Sequence, residues 1–100
     1  MTDNRSLLEA AAKAAGVKGW WADDRVFPYV DDQPWNPLTD DGDALRLAVK
    51  LRLRVDSGYC GCADVRGYMV DATEALGHDP YAATRRAIVR AATAMAEKTR

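Results

Sequence analysis

Two thiols and a single histidine are the residues best suited to metal chemistry in this chain. Cys60 and Cys62 are separated by one residue, and His78 is the only histidine. A structural zinc site needs four ligands, usually from two paired clusters, so Asp64 or Asp71 would have to complete the shell. We therefore predict no metal and no cofactor. Two cysteines this close together also predict reduced thiols rather than a disulfide.

Acidic residues surround a glycine in the segment Asp40, Asp41, Gly42 and Asp43. The spacing of a calcium-binding loop, with its later glutamate, is absent. Carboxylates at the start of a helix accept hydrogen bonds from its free N–H groups, so we interpret these aspartates as helix-capping residues. A hydrolytic triad needs a nucleophile and an oriented base, and one histidine without a serine motif does not indicate one. We predict that the protein is not an enzyme.

Aromatic residues are concentrated in residues 20–35. Trp20 and Trp21 are adjacent, so on a strand their side chains face opposite sides. If one packs into the core, the other is exposed or is covered by a loop or a partner, and Trp35 could supply that cover. Such aromatics can stack on bases or anchor a protein interface, although packing of all of them in the core is the simpler interpretation.

Basic residues form the second unusual feature. Residues 1–43 contain nine acids and four bases, whereas residues 44–100 contain six acids and ten bases. Charges of this kind usually form a solvated face, but arginines that converge in space could contact phosphates. The basic residues concerned are Arg46, Lys50, Arg52, Arg54, Arg85, Arg86 and Arg90. Together with the tryptophans, they define a candidate binding surface of Trp20, Trp21, Trp35, Arg86 and Arg90.

The first half predicts one helix and two strands. Ser6 and Glu9 have the spacing of a capping box, and Gly16 has the position of a left-handed cap at the end of the helix. Residues 17–22 and 25–30 predict two short strands joined by a tight turn. Because Pro28 cannot donate a hydrogen bond, the second strand is expected at an edge or bent there. Residues 31–37 are expected to form a loop.

The second half predicts a helix from Asp40 or Asp41 to about Leu51, then a strand from Leu53. A turn at 57–61 and a strand within 63–70 that is interrupted at Gly67 follow. Residues 71–76 allow one last short strand, which the predicted order of elements does not count. Asp79 and Pro80 have the types preferred at a helix cap and at its first position. For the helix that begins at Asp40 or Asp41, the expected inward side consists of Ala44, Leu45, Ala48, Val49 and Leu51. For the last helix, the expected inward stripe is Tyr81, Thr84, Ile88, Ala91, Ala92 and Met95. The expected outward set is Arg86, Arg90, Thr93, Glu97 and Arg100.

These elements predict one domain, residues 1–100, of the α/β (α+β) class. Its order is α-β-β-α-β-β-α, with a small, mostly antiparallel sheet between or beneath three helices. No apolar run reaches the roughly 18–20 residues that a membrane span needs, and the polar start of the chain excludes a signal peptide. We therefore predict a cytoplasmic protein with no membrane association.

Two segments carry a family resemblance: residues 35–51 (WNPLTDDGDALRLAVKL) and 79–92 (DPYAATRRAIVRAA). Together they resemble small bacteriophage and prophage proteins of the phage ABA-sandwich type, and the predicted first helix and aromatic hairpin also suit that pattern. Residues 57–77, with Cys60-Gly61-Cys62 and Gly67, depart from it. The resemblance implies a phage or prophage origin, a bacterial host and α-β-α layering. It carries no activity and no catalytic residues.

We predict a small accessory protein that binds a host or phage protein, or itself. The near-neutral charge and the acidic, aromatic-rich first half favour this function. The alternatives are nucleic-acid binding through the arginines, which a basic cluster beside an exposed aromatic would favour, and an enzyme that is not recognisable from sequence, which a deep carboxylate-lined pocket would favour.

Overall fold

The computed structural model describes residues 4–16, 20–21, 28–30, 33–59 and 61–98. Within these ranges the first half contains helix α1 (Asn4–Ala15) and strands β1 (Trp20–Trp21), β2 (Pro28–Val30) and β3 (Gln33–Pro34). Helix α2 (Asp41–Lys50) then precedes strands β4 (Arg54–Tyr59), β5 (Cys62–Gly67) and β6 (Val70–Ala75), and helix α3 (Pro80–Lys98) follows. The strands form two antiparallel sheets, in the orders β1-β2-β3 and β4-β5-β6.

The β4-β5-β6 sheet has one apolar and one charged face, as the two-residue period of a strand requires. Val55, Val65 and Ala72 lie opposite one another across the three strands. Val65 and Ala72 are buried, as is Ala63 beside them, and helix α3 packs on β5 and β6. The opposite face carries charged side chains, so it has the composition of a solvent-facing surface.

Helix α3 is the centre of the fold. It packs against the sheet on one side and against α1 and α2 elsewhere on its circumference. Its buried positions are mostly small: Ala83, Ala87, Ile88, Val89, Ala91, Ala92 and Ala96. Alanines allow the backbones of neighbouring elements to approach closely, and so one helix can serve three neighbours. Of the two predicted placements of the sheet, between or beneath the helices, the described residues show the second.

Local sequence accounts for the ends of the helices. The carboxylate of Asp79 accepts the N–H of Ala82 at 3.0 Å, and Pro80 takes the first position of α3, as predicted. Gly16 ends α1 with φ +67°. At the end of α2, the N–H groups of Arg52 and Leu53 donate to the carbonyls of Val49 and Ala48. This is the Schellman arrangement, in which Arg52, at φ 56°, holds the left-handed position that glycine prefers.

The predicted α+β class, the antiparallel sheet and, broadly, the order of elements are confirmed. The observed start of α2 agrees with the prediction, and the interruption after Gly67 is the turn at Tyr68 and Met69. One strand is additional: β3 lies inside the predicted loop 31–37. The last short strand expected at 71–76 is β6, so the second half contains three strands where the predicted order has two. No described helix has the combined length and apolar character that crossing a membrane would require.

Several details of the predicted first half and central strands are wrong. Helix α1 begins at Asn4, so Ser6 lies inside its first turn and is not the residue before it. Of the two alternatives for Pro28, the edge position is wrong, because β2 is central in its sheet and β3 pairs with it on the other side. Pro28 is tolerated there because it is the first residue of the strand. The predicted turn at 57–61 is shorter, since β4 continues to Tyr59.

The predicted inward faces of two helices also need correction. In α2, Leu45 and Val49 are exposed, and Leu47 and Asp43 are buried together with the predicted Ala44 and Ala48. In α3, Tyr81 is exposed. Thr93, predicted to face solvent, is half-buried and donates from Oγ1 to the carbonyl of Leu7 in α1 at 3.2 Å. Contacts between helices, which periodicity does not report, decide these orientations.

Candidate binding surface

Trp35 belongs to the core and not to a surface. It is 7% exposed and lies in the hydrophobic cluster with residues of α1, α2 and α3. The prediction that Trp35 contributes to an exposed binding surface is therefore wrong. The physical reason is that the segment between β3 and α2 turns inward, and Pro37, two residues later, is also fully buried.

Trp20 and Trp21 form strand β1, where they lie opposite Tyr29 and Pro28 of β2. This pairing confirms a hairpin-like antiparallel arrangement of the two predicted strands. The two tryptophan side chains lie outside what the structure describes, as do residues 22–27 with the predicted turn at Asp23-Asp24. The expectation that the rings face opposite sides stays a prediction.

The acidic segment at the start of α2 performs the predicted capping. Asp40 is the cap residue, and its Oδ2 accepts the N–H of Asp43 at 2.8 Å. Asp43 is itself buried; its carboxylate accepts the N–H of Asn36 at 3.0 Å and a hydrogen bond from Arg46 at 2.7 Å. A buried carboxylate requires such partners. The segment therefore fixes the loop that carries Trp35 to the first turn of α2.

The arginines of α3 diverge, and each one described here meets a carboxylate of its own chain. Arg85 donates to Asp41 at 2.5 Å and to the carbonyl of Leu38 at 2.8 Å, which ties α3 to the start of α2. Arg86 and Arg90 instead approach Glu74 of β6; Arg90 is hydrogen-bonded to it, and Arg86 lies 3.9 Å away. Arg85 and the pair Arg86 and Arg90 therefore do not share a partner, because α3 presents them to different neighbours.

The cysteine and histidine candidates are only partly described. Cys62 is half-buried at the start of β5, and His78 is exposed in the turn before α3. Cys60 lies outside the described residues. Among the residues that the structure does describe, no group of three or more histidine, cysteine, aspartate or glutamate side chains could hold a metal ion.

The structure adds a feature that sequence reasoning missed: an outward-facing apolar pair on α2. Leu45 is 63% exposed and Val49 is 69% exposed. Residues four apart on a helix are neighbours on one face, so the two side chains form one patch. Tyr81 of α3 is also 69% exposed. It lies one helical turn before Arg85. Arg85 binds Asp41, which lies one turn before Leu45 in α2. We call Leu45 and Val49 the α2 outward pair.

A signal for this pair exists in the sequence. A helical apolar spacing is shared by two sets of residues. One is the predicted set, which includes Leu45 and Val49, and the other is Ala44, Leu47, Ala48 and Leu51. Helix α2 therefore carries two overlapping apolar stripes. Only one can face α3, and the other remains exposed. An excess of apolar residues around a short helix thus indicates a stripe that the described part of the chain does not cover.

Comparisons with known proteins leave this chain without a match: no protein-family model, no curated protein and no solved structure resembles it significantly.

Proposed function

We propose that this chain is a binding protein that acts through the α2 outward pair on another protein, and not through catalysis. The single observation that carries the proposal is the exposure of Leu45 and Val49 on one helix face. Full burial of an aliphatic side chain of this size contributes about 1.5–3 kcal/mol, so a partner that covers both would gain a substantial part of a binding free energy. The phage or prophage origin and the cytoplasmic location remain part of this proposal.

The electrostatics support a protein partner over a nucleic acid. Affinity for nucleic acid depends on arginines and lysines that are free to neutralise phosphates. Here Arg85 pairs with Asp41, and Arg86 and Arg90 share Glu74. Arg46 pairs with Asp43. Salt bridges at the surface can exchange partners, so Arg86 and Arg90 remain candidates for a polar rim of the interface. Trp20 and Trp21 remain candidates for a second contact with the partner protein.

Affinity capture with two matched variants tests the proposal. The bait pair is the wild type and the double variant Leu45→Ser with Val49→Ser, which removes apolar surface from an exposed face and leaves charge and core unchanged. The expected result is that a protein captured stoichiometrically by the wild type from bacterial lysate is lost with the double variant. The comparison variant, Arg86→Ala with Arg90→Ala, should still capture this protein, because charged residues at the rim of an interface contribute little to the binding free energy.

The opposite pattern would overturn the proposal. If the Leu45→Ser, Val49→Ser variant folds with an unchanged melting temperature and still captures the same protein, α2 is not the interface. Loss of capture only in the Arg86→Ala, Arg90→Ala variant would point to the arginines. Nuclease-sensitive capture of nucleic acid would favour the alternative function.

A further inference from the structure

Strand β4 is an edge strand of the β4-β5-β6 sheet. Within the described ranges it pairs with β5 and with no other strand. Residues 54–57 are all exposed. An edge strand presents unpaired backbone N–H and C=O groups, which another strand can bind. The β4–β5 register becomes irregular directly after Asp56. The regular part of this edge is therefore short and is centred on Val55.

The apolar face of β4 is incompletely covered. Helix α3 packs mainly on β5 and β6. Along the row that crosses the sheet, Ala72 and Val65 are buried, whereas Val55 at the edge is 40% exposed. A further strand beside β4 would extend this row and remove Val55 from water.

The charged face of the same strands has an unusual register. Arg54 lies opposite Arg66, and Asp56 lies opposite Asp64. Like charges directly opposite each other on neighbouring strands are destabilising. These four residues line one shallow depression of about 270 Å³. Arg66 is compensated along its own strand by Asp64 at 3.1 Å. A neighbouring strand with the reverse order of charges would place opposite charges beside Arg54 and Asp56 on the outer side of β4.

The segment Arg54-Val55-Asp56 has that reverse order when it is turned end to end. We propose that a second copy of this chain pairs with the β4 edge in antiparallel fashion, with Val55 at the two-fold axis. In this register Arg54 of each copy lies opposite Asp56 of the other copy, so two opposite-charge pairs form. The two Val55 side chains lie opposite each other. The contact is isologous and closes as a dimer. It joins two three-stranded sheets into one of six strands. This inference goes beyond the α2 outward pair and does not depend on it.

Charge reversal tests the register directly. Sedimentation of the wild type across a concentration series should show a reversible dimer. Arg54→Asp and Asp56→Arg should each weaken dimerisation by roughly tenfold or more, because both cross-strand pairs change from attractive to repulsive. The combined variant, Arg54→Asp with Asp56→Arg, should restore the dimer. Mixing the two single variants should produce a heterodimer, because their charges then match again.

A matched control variant and two contradicting outcomes complete this test of the dimer. Lys13→Asp makes the same charge change on α1 and should leave the dimer unchanged. A wild type that stays monomeric throughout the series overturns the proposal. So does a dimer that single reversals weaken but that neither the combined variant nor mixing restores, since this would exclude the proposed register. Melting curves of each variant confirm that loss of the dimer is not loss of the fold.

Discussion

Helices α2 and α3 contain similar types of residue but have different environments. Each starts with an aspartate cap, and each mixes alanine, aliphatic and arginine residues. Helix α3 is surrounded by the sheet, α1 and α2, and buries small residues on several sides. Helix α2 lies outside it and buries one side only. An apolar stripe on a central helix therefore stabilises the fold, whereas a second stripe on a peripheral helix is available to a partner.

Truncation of an aliphatic side chain in each helix should give the largest contrast. Ile88 of α3 is 4% exposed, and Ile88→Ala should lower the free energy of unfolding by about 2–5 kcal/mol, since it leaves a cavity in the core. The exposed Leu45 of α2 should tolerate Leu45→Ala within about 0.5 kcal/mol. Chemical denaturation of both variants measures this. Equal losses would mean that Leu45 is a core residue and that the comparison fails.

The caps of the two helices should contribute similarly, because the capping interaction is local. Asp79→Ala and Asp40→Ala each remove an acceptor for a backbone N–H, at 3.0 Å and 2.8 Å respectively. Each should lower the free energy of unfolding by about 0.5–2 kcal/mol. Asparagine at either position is the control, since it retains an acceptor oxygen. An unchanged denaturation midpoint for Asp79→Ala would mean that Asp79 does not cap α3.

The smallest effect is expected at the end of α2, and it should be stabilising. Arg52 is exposed and adopts φ 56°, a conformation that costs a non-glycine residue about 1–2 kcal/mol. Arg52→Gly removes this strain but adds freedom to the unfolded chain, so a net gain of about 0.5 kcal/mol is expected. Lys50→Gly, inside the helix, should instead lose about 1 kcal/mol. A loss at both positions would contradict the Schellman assignment.

The sequence predicted those parts of the fold that depend on neighbouring residues. Asp79 with Pro80 and Gly16 are local signals, and the structure confirms the helix ends that they predict. The sequence did not predict which stripe of α2 is inward, because Leu45 with Val49 and Leu47 with Ala48 fit the helical period equally. It also could not place Trp35, whose burial depends on helices distant in the chain. The open edge at β4 depends on the sheet order, which the sequence left undetermined.

Site-specific photo-crosslinking is the most direct test of the central claim that the outward face of α2 contacts another protein. A photoreactive amino acid replaces Val49 in one version of the protein and Lys13 in a second, and both are expressed in bacterial cells. Both positions are exposed, so they differ in their surroundings and not in their access to solvent. We expect a discrete adduct with a different protein from position 49 and none from position 13. Absence of an adduct at position 49, or the same adducts from both positions, would contradict it.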